Sequence, residues 1–170
     1  MQQSPNQRPP AGRRIAGRAQ DAAERDPYHP RRRPAGPVVC PQCGVLFADG
    51  RWHWGNAPAG AKSEPCPACR RIKDDLPAGI VTLHVAAGQP RRDEVITLAR
   101  HREEAERSEH PLNRIMRVEE TPEAVVITTT DIHLPRRIGE AMERAFRGEL
   151  EMAFDENSYF VRVDWRPAAH

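Results

Sequence analysis

The chain has 170 residues with 17 prolines and 5% aromatic residues, and its mean hydropathy is −0.73. This composition is poor for one large core, so we expect part of the chain to be unpacked. No run approaches roughly 18 apolar residues, and no apolar run follows the first basic residues. We therefore expect no membrane span, no secretory signal and a cytoplasmic protein.

Residues 1–37 form an arm rich in Arg and Pro. It carries eight arginines against three acidic residues, and Ile15 is its one branched aliphatic residue. So little apolar surface cannot offset the entropy of ordering, which predicts disorder. Two interpretations stay open for Arg31, Arg32, Arg33 and the other arginines: contact with nucleic-acid phosphates, or a tail that only keeps the chain in solution.

Two CxxC pairs separated by 22 residues define a small module at residues 38–89. A two-residue gap lets one tight turn direct both thiolates at a single ion, and a second pair completes the tetrahedron that Zn²⁺ prefers. The spacing predicts a zinc-ribbon or treble-clef-like module with one structural zinc ion, held by Cys40, Cys43, Cys66 and Cys69. Iron, two disulfides and a redox-active CxxC are the alternatives.

Aromatic and basic residues surround these cysteine pairs. Asp49-Gly50 predicts a hairpin, and on the strand after it Trp52 and Trp54 would share a face. Indole rings beside guanidinium groups are typical of surfaces that bind single-stranded RNA, although the same rings could form the core of the ribbon over the metal. The predicted nucleic-acid contacts of the module are Arg51, Trp52, Trp54, Arg70, Arg71 and Lys73.

Residues 90–166 have the periods of a second domain, before a short tail at 167–170. A helix after Pro90 precedes two strands joined by a turn, and a second helix, ended by Gly148, precedes two more strands. The order helix, two strands, helix, two strands predicts an α+β domain with a mostly antiparallel sheet and helices on one face.

The stretch TTTDIH at residues 128–133 lies between a predicted strand and a predicted helix. Asp131 and His133 could form an acid/base pair or half of a metal site, but no third ligand or nucleophile accompanies them. We favour a cap, in which the side-chain oxygen of Thr130 or Asp131 accepts the first amide hydrogens of the helix. Gly-rich phosphate loops, GxSxG and HExxH are missing from the sequence, so we predict no catalytic site.

Several stretches together resemble an uncharacterised bacterial family of zinc-ribbon proteins over roughly residues 26–166. They are DPY, VVCPQCG, RWHWG, CPACRRI, LPAGIVTL, EHPLNRIM, TTTDIHLPRRIGEAM and YFVRVDW. More distantly, the paired CxxC motifs followed by strands and a helix resemble the N-terminal zinc-binding region of the nonsense-mediated-decay-three family, whose members are export adaptors that bind the large ribosomal subunit.

The second resemblance implies a zinc site at the four cysteines and an α+β unit at residues 125–165. Members of that adaptor family carry more zinc-binding cysteines and further C-terminal domains, which this sequence lacks. The first resemblance is to a bacterial family, and bacteria have no nuclear export, so only binding to RNA or to ribosomal particles could transfer to this chain.

Two non-enzymatic functions compete, and an enzyme that uses the α+β domain is a third hypothesis. One is a non-enzymatic zinc-ribbon protein that binds RNA or a ribosomal particle through the arm and the Trp/Arg surface of the ribbon. The other is a protein–protein adaptor or regulator in which the zinc is structural and the second domain repels nucleic acid, since residues 91–170 hold 17 acidic and 13 basic groups.

Overall fold

The computed structural model describes residues 24–30, 32–85 and 90–168. Within these ranges the chain forms three helices and nine strands in two sheets, so the predicted α+β class is confirmed. The predicted disorder of the arm falls largely on residues 1–23, which lie outside the described residues, as does Arg31. No helix in the described part is long and apolar enough to cross a membrane.

Four short strands form the smaller sheet: β1 (Val38–Val39), β2 (Leu46–Ala48), β3 (Arg51–His53) and β4 (Lys62–Ser63). Their order is β3-β2-β1-β4, with β1 and β4 parallel and the other neighbours antiparallel. Asp49 and Gly50 connect β2 to β3 with φ of 53° and 79°. Two successive positive φ values are the mark of the two-residue hairpin turn that the sequence predicted.

The remaining elements are α1 (Pro67–Asp74), β5 (Gly79–His84), α2 (Arg92–Glu109), β6 (Ile115–Glu120), β7 (Ala124–Thr129), α3 (His133–Phe146), β8 (Glu149–Phe154) and β9 (Val161–Arg166). The larger sheet has the order β6-β7-β5-β9-β8. Only the β5–β9 pair is parallel, and the other three pairs are antiparallel. The sheet is thus mostly antiparallel, as predicted.

The strand β5 lies at the centre of this larger sheet, between β7 and β9. The predicted bounds of the cysteine module, residues 38–89, include β5, but in the structure β5 belongs to the larger sheet. Val81 and Leu83 are fully buried, so one face of β5 needs the core of the larger domain. Its hydrogen-bonding partners come roughly 40 and 80 residues later in the chain, which local patterning does not reveal.

Both long helices cover the same face of the larger sheet. Each connects two parallel strands, β5 to β6 and β7 to β8, and right-handed crossovers in these two positions place both helices on one side. The helices α2 and α3 also contact each other. Beneath them lies the main core, in which Trp165, Leu83, Ile127, Ile138 and Met142 are completely enclosed.

Residues 24–30, assigned to the disordered arm by the sequence, make defined contacts. The carboxylate of Asp26 accepts a hydrogen bond from Arg71, and the Tyr28 hydroxyl donates to Asp74 at 2.7 Å. The guanidinium of Arg71 also lies 4.5 Å from the centre of the Tyr28 ring. The carboxylate of Asp26 and the ring of Tyr28 thus hold this part of the arm against α1.

Candidate functional site

The first cysteine pair lies in a tight turn between β1 and β2. The amide of Cys40 donates to the carbonyl of Val45, and the amide of Gly44 donates to the carbonyl of Cys40, both at 2.9 Å. Gly44 has φ of +79°, a conformation that costs glycine little. This turn brings the thiols of Cys40 and Cys43 to one side of the backbone.

The second cysteine pair begins α1. Cys66 is the N-cap, and its sulfur accepts a hydrogen bond from the amide of Cys69 at 3.4 Å. Pro67 occupies the first turn, where its missing N–H costs nothing. Because Cys66 and Cys69 are three residues apart at a helix start, their thiols point toward the same point in space.

The four sulfurs form a cluster that can hold a metal ion. All four lie within 4.8 Å of one another, and the sulfurs of Cys43 and Cys66 are 3.8 Å apart. A tetrahedron with Zn–S bonds of about 2.3 Å has sulfur–sulfur edges of about 3.8 Å, so the cluster has the right size. All four cysteines are free, and Cys40, Cys66 and Cys69 are buried.

The environment of the thiols favours a bound cation. Burial raises the pKa of Cys66 and Cys69, since it opposes formation of a charged thiolate. Burial also acts on Cys40, but backbone amides, including that of Cys66, outweigh it and lower the pKa of Cys40 to about 6. Four thiolates this close repel one another, and a divalent cation at their centre would remove that repulsion.

Arg114, which sequence reasoning missed, reaches this cluster from the larger domain. Its side chain is buried, and its guanidinium donates to the sulfur of Cys43 at 3.1 Å and to that of Cys69 at 3.4 Å. The Nε–H of the same guanidinium donates to the carbonyl of Pro111 at 2.8 Å. A buried positive charge thus faces the thiols and joins the two parts of the chain.

Thr130 holds Arg114 in place. Its hydroxyl accepts a hydrogen bond from the amide of Arg114 at 2.9 Å, and its own amide donates to the carbonyl of Arg114 at 2.9 Å. The hydroxyl also donates to the carbonyl of Leu112. The end of β7 therefore fixes the loop that carries the arginine to the cysteines.

The next residue, Asp131, caps α3 as the sequence predicted. Its Oδ2 accepts the amide hydrogens of His133 at 2.7 Å and Leu134 at 3.0 Å. The carboxyl is only 4% exposed, and within the described residues Oδ1 has no hydrogen-bond partner. Burial raises the pKa of Asp131 to about 7, although the two capping amides act in the opposite direction.

This pKa predicts how stability depends on pH. Asp131 ionises near 3.8 when unfolded and near 7 when folded, so the free energy of unfolding falls as pH rises between these values and is flat above them. Asp131→Asn keeps a capping oxygen and removes the titration. The stability advantage of this variant over the wild type should grow by on the order of 2 kcal/mol between pH 5.5 and pH 8 in denaturant titrations. A constant difference across that range would contradict the prediction.

The predicted nucleic-acid residues divide into two groups. Arg32, Arg33, Arg51, Arg70 and Lys73 are exposed, and none has an ion pair among the described residues. Arg71 differs from the prediction. It is 4% exposed, bonded to Asp26 and to the carbonyl of Leu76, and so serves the fold. Its partner lies 45 residues earlier, in a segment that was predicted to be disordered.

The two tryptophans have different surroundings. Trp52 is half-buried, packs beside the cysteine cluster and meets the ring of Phe47 edge-on at 5.3 Å. Trp54 is 39% exposed, but its indole N–H donates to the carbonyl of Arg107 at 2.7 Å, and the guanidinium of Arg107 lies over the ring. Trp54 thus connects the β2–β3 hairpin to α2. Because Arg107 covers the indole ring, much of that ring is not accessible to a ligand.

A cleft of about 590 Å³ separates the cysteine module from the larger domain. Its wall includes Trp52 and Asp131, the cap of α3, and its lining holds five arginines, three histidines and three carboxylates. Three of the arginines have acidic partners, namely Arg71 with Asp26, Arg136 with Glu140 and Arg137 with Glu106. The other two, Arg33 and Arg51, have none within the described part of the chain.

His133, the second member of the suspected acid/base pair, also lines this cleft. His133 is exposed in the cleft. Partial desolvation of its ring, together with the charge of Arg136, lowers its pKa. Asp131 bonds the backbone amide of His133, and no bond between the two side chains occurs among the described contacts. Asp131 thus caps α3, His133 lines the cleft, and the two do not act as an acid/base pair in the described structure.

Comparison of the chain with models of protein families, with curated proteins and with solved structures gave no match.

Proposed function

We propose that this chain is a non-enzymatic zinc-ribbon protein that binds RNA, free or within a ribosomal particle, at the cleft between its cysteine module and its larger domain. The observation that carries the proposal is that Arg33 and Arg51, which have no ion pair among the described residues, line the same cleft as Trp52, and that this cleft has the size of a nucleotide-binding site. Guanidinium groups suit phosphates, and an indole ring offers a base a surface for stacking.

Zinc is the metal that suits the cysteine cluster best. Four thiolates in a closed tetrahedron leave no position for a substrate, which is typical of structural zinc. Held by Cys40, Cys43, Cys66 and Cys69, the ion would cross-link two turns that have only short strands and a small buried cluster around them. Zinc would thus fix one wall of the cleft.

The distribution of ion pairs supports RNA contact through the module. In the larger domain many arginines have an acidic partner, as in Arg91–Asp93 and Arg100–Glu103. On the module, Arg32, Arg33, Arg51, Arg70 and Lys73 are exposed without such partners in the described structure. Cations without a carboxylate nearby remain available for phosphates, and their counterions are released on binding.

A protein partner is the second candidate, because α1 and the turn that follows it expose two large apolar residues. Ile72 is 43% exposed and Leu76 is 53% exposed, and both lie on the module. A contiguous exposed patch of such side chains is typical of docking surfaces. The alternative is an adaptor that uses α1 for a protein partner and its zinc only for structure.

The salt dependence of RNA binding tests the proposal. Affinity for a single-stranded oligonucleotide should fall steeply with salt, and Arg33→Gln with Arg51→Gln should reduce the log–log slope by about 1.4, since each phosphate contact on a single strand contributes about 0.7. The matched control is Arg102→Gln with Arg144→Gln, which removes the same charge from exposed positions outside the cleft. Fluorescence anisotropy at several salt concentrations measures both slopes.

Equal changes in slope for the two double variants would contradict binding at the cleft. Weak RNA binding that neither pair alters, together with loss of a protein partner when Ile72 and Leu76 are both changed to serine, would favour the adaptor.

A further inference from the structure

The larger sheet has an open edge at β8. This strand pairs with β9 on one side, and no strand lies on its other side within the described residues. Such an edge presents a row of backbone N–H and C=O groups on which a further strand can add. Beside it, Leu150, Met152 and Phe154 pack against the main core but remain only half-buried. The edge thus offers both backbone hydrogen bonds and apolar surface to an added segment.

The face of β8 that points away from the helices is acidic. Glu149 and Glu151 are exposed on this face, and neither has an ion pair among the described residues. The sequence from 149 to 158 contains four acidic residues and no basic one. Arg166 lies opposite Glu149 on β9, but its ion pair is with Asp164 on its own strand. The charge of the edge therefore suits a cationic segment.

The N-terminal arm enters the described structure next to this edge. The guanidinium of Arg71 lies 4.5 Å from the ring centre of Tyr28 and 5.4 Å from that of Tyr159, so the arm passes beside the chain just before β9. Three residues before Tyr28, the guanidinium of Arg25 donates to the carbonyl of Glu156, in the turn between β8 and β9. Followed toward its N-terminus, the arm therefore runs from β9 toward the end of β8.

The part of the arm that precedes this point has the complementary charge. Residues 1–23, which lie outside the described residues, carry four arginines and one acidic residue. Within them, residues 13–18 read RRIAGR. On an extended chain Arg14 and Arg18 would share one face and Ile15 would lie on the other. The strand β8 has the same alternation, with charged residues on one face and apolar residues on the other.

The arm is long enough to cover β8. Arg18 lies seven residues before Arg25, and Glu149 lies seven residues before Glu156. An extended chain and a strand both advance about 3.3 Å per residue, so a segment that starts at the turn reaches the far end of β8. Since Arg14 is four residues further along, the segment can align with β8 without being fully stretched.

We propose that residues 13–18 dock on the β8 edge of their own chain as a sixth strand of the larger sheet. The two arginines that share a face lie beside Glu149 and Glu151, and Ile15 covers the half-buried apolar row. Opposite charges on neighbouring strands and backbone hydrogen bonds hold the segment in place. This docking is independent of RNA binding at the cleft.

Hydrogen–deuterium exchange of the full chain with bound zinc tests the docking. In the wild type, residues 13–18 and the edge of β8 should be protected. Arg14→Gln with Arg18→Gln should accelerate exchange in both segments by about fivefold, as expected for the loss of two cross-strand charge pairs. Glu149→Gln with Glu151→Gln should have the same effect on residues 13–18.

The matched control is Glu104→Gln with Glu143→Gln. It removes the same charge from exposed positions on α2 and α3 and should leave the exchange of both segments unchanged. Thermal unfolding and zinc content show whether each variant remains folded, so that a general loss of structure is recognised.

Reversal of the charges gives a second test. Arg14→Glu with Arg18→Glu should abolish the protection, because four acidic side chains would then lie side by side. Addition of Glu149→Arg with Glu151→Arg to the same chain should restore it, because the pairing depends on opposite sign. A reversed chain that stays unprotected in both segments would contradict the docking.

Other results would also overturn the inference. Unprotected exchange of residues 13–18 in the wild type, or protection that neither glutamine double variant reduces, would show that the edge does not hold the arm. Protection that is lost on dilution and accompanies a dimer in light scattering would place the segment on a second copy instead. Protection that appears only after a single-stranded oligonucleotide is added would assign the arginines to RNA.

Discussion

Cys66→Ser is expected to release the metal and unfold the cysteine module. Cys66 is completely buried, caps α1 and lies 3.8 Å from the sulfur of Cys43. Serine is a poor zinc ligand, and three thiolates bind zinc far more weakly than four. Because structural zinc contributes on the order of 10 kcal/mol to the folding of small domains, the module should not remain folded without it.

Metal analysis and limited proteolysis measure this outcome. Wild-type protein purified under reducing conditions should hold one zinc ion per chain and resist cleavage from β1 to α1, whereas the variant should lose both properties. Ala57→Ser, in an exposed loop of the same module, adds a hydroxyl away from the thiols and should behave as the wild type. An iron chromophore in the wild type, or a metal-free variant that still resists proteolysis, would refute the assignment.

The larger domain should survive this change. Its core is separate from the cysteine cluster and includes Trp165, which is completely buried between the sheet and its helices. The buried cluster of the smaller module has five members, three of which are cysteines themselves. Because of this difference in buried apolar surface, we expect removal of a bound metal to unfold the smaller module and to leave the larger domain folded.

The features that the sequence revealed are those set by local spacing. The two CxxC pairs, the Asp49-Gly50 hairpin and the cap at Asp131 each depend on residues within one turn of each other, where periodicity and side-chain chemistry suffice. The mostly antiparallel sheet was predictable for the same reason, because apolar and polar residues alternate along its strands.

The features that the sequence missed depend on contacts between distant segments. β5 is recognisable as central only from its partners β7 and β9, and Arg71 as a structural residue only from the position of Asp26. Arg114 contacts Cys43 across 71 residues of sequence. An arginine at the start of a strand has no local pattern that distinguishes a buried counter-charge from an exposed cation.

The metal cluster and the cleft share one short structural connection. Arg114 bonds the thiols, Thr130 bonds the backbone of Arg114, and Asp131 follows Thr130 directly and lines the cleft. The cluster itself adds a second contact, because Trp52 packs against it and also lines the cleft. Loss of the metal or of a thiol should therefore disturb two parts of the cleft lining, the one at Asp131 and the one at Trp52.

Arg114→Leu is expected to weaken both the metal site and the contact between the two parts of the chain. A zinc ion with four thiolates carries a net charge of −2, and Arg114 is the buried cation that faces it in the described structure. Removal of one partner from a buried charge pair costs about 3–5 kcal/mol, and loss of a hydrogen bond to a metal ligand lowers metal affinity about 10–100-fold. Denaturant unfolding and competition with a zinc chelator measure the two effects.

Two further variants separate charge from geometry. Arg114→Lys keeps the charge but not the fork that reaches Cys43, Cys69 and the Pro111 carbonyl together, so its losses should lie between those of the wild type and Arg114→Leu. Arg117→Leu removes an exposed arginine three residues further along, whose partners Asp75 and Glu119 are themselves exposed, and it should leave zinc affinity unchanged. If Arg114→Leu and Arg117→Leu held zinc equally well, the guanidinium would not be the counter-charge of the thiolates, and the coupling of metal to cleft would rest on Trp52 alone.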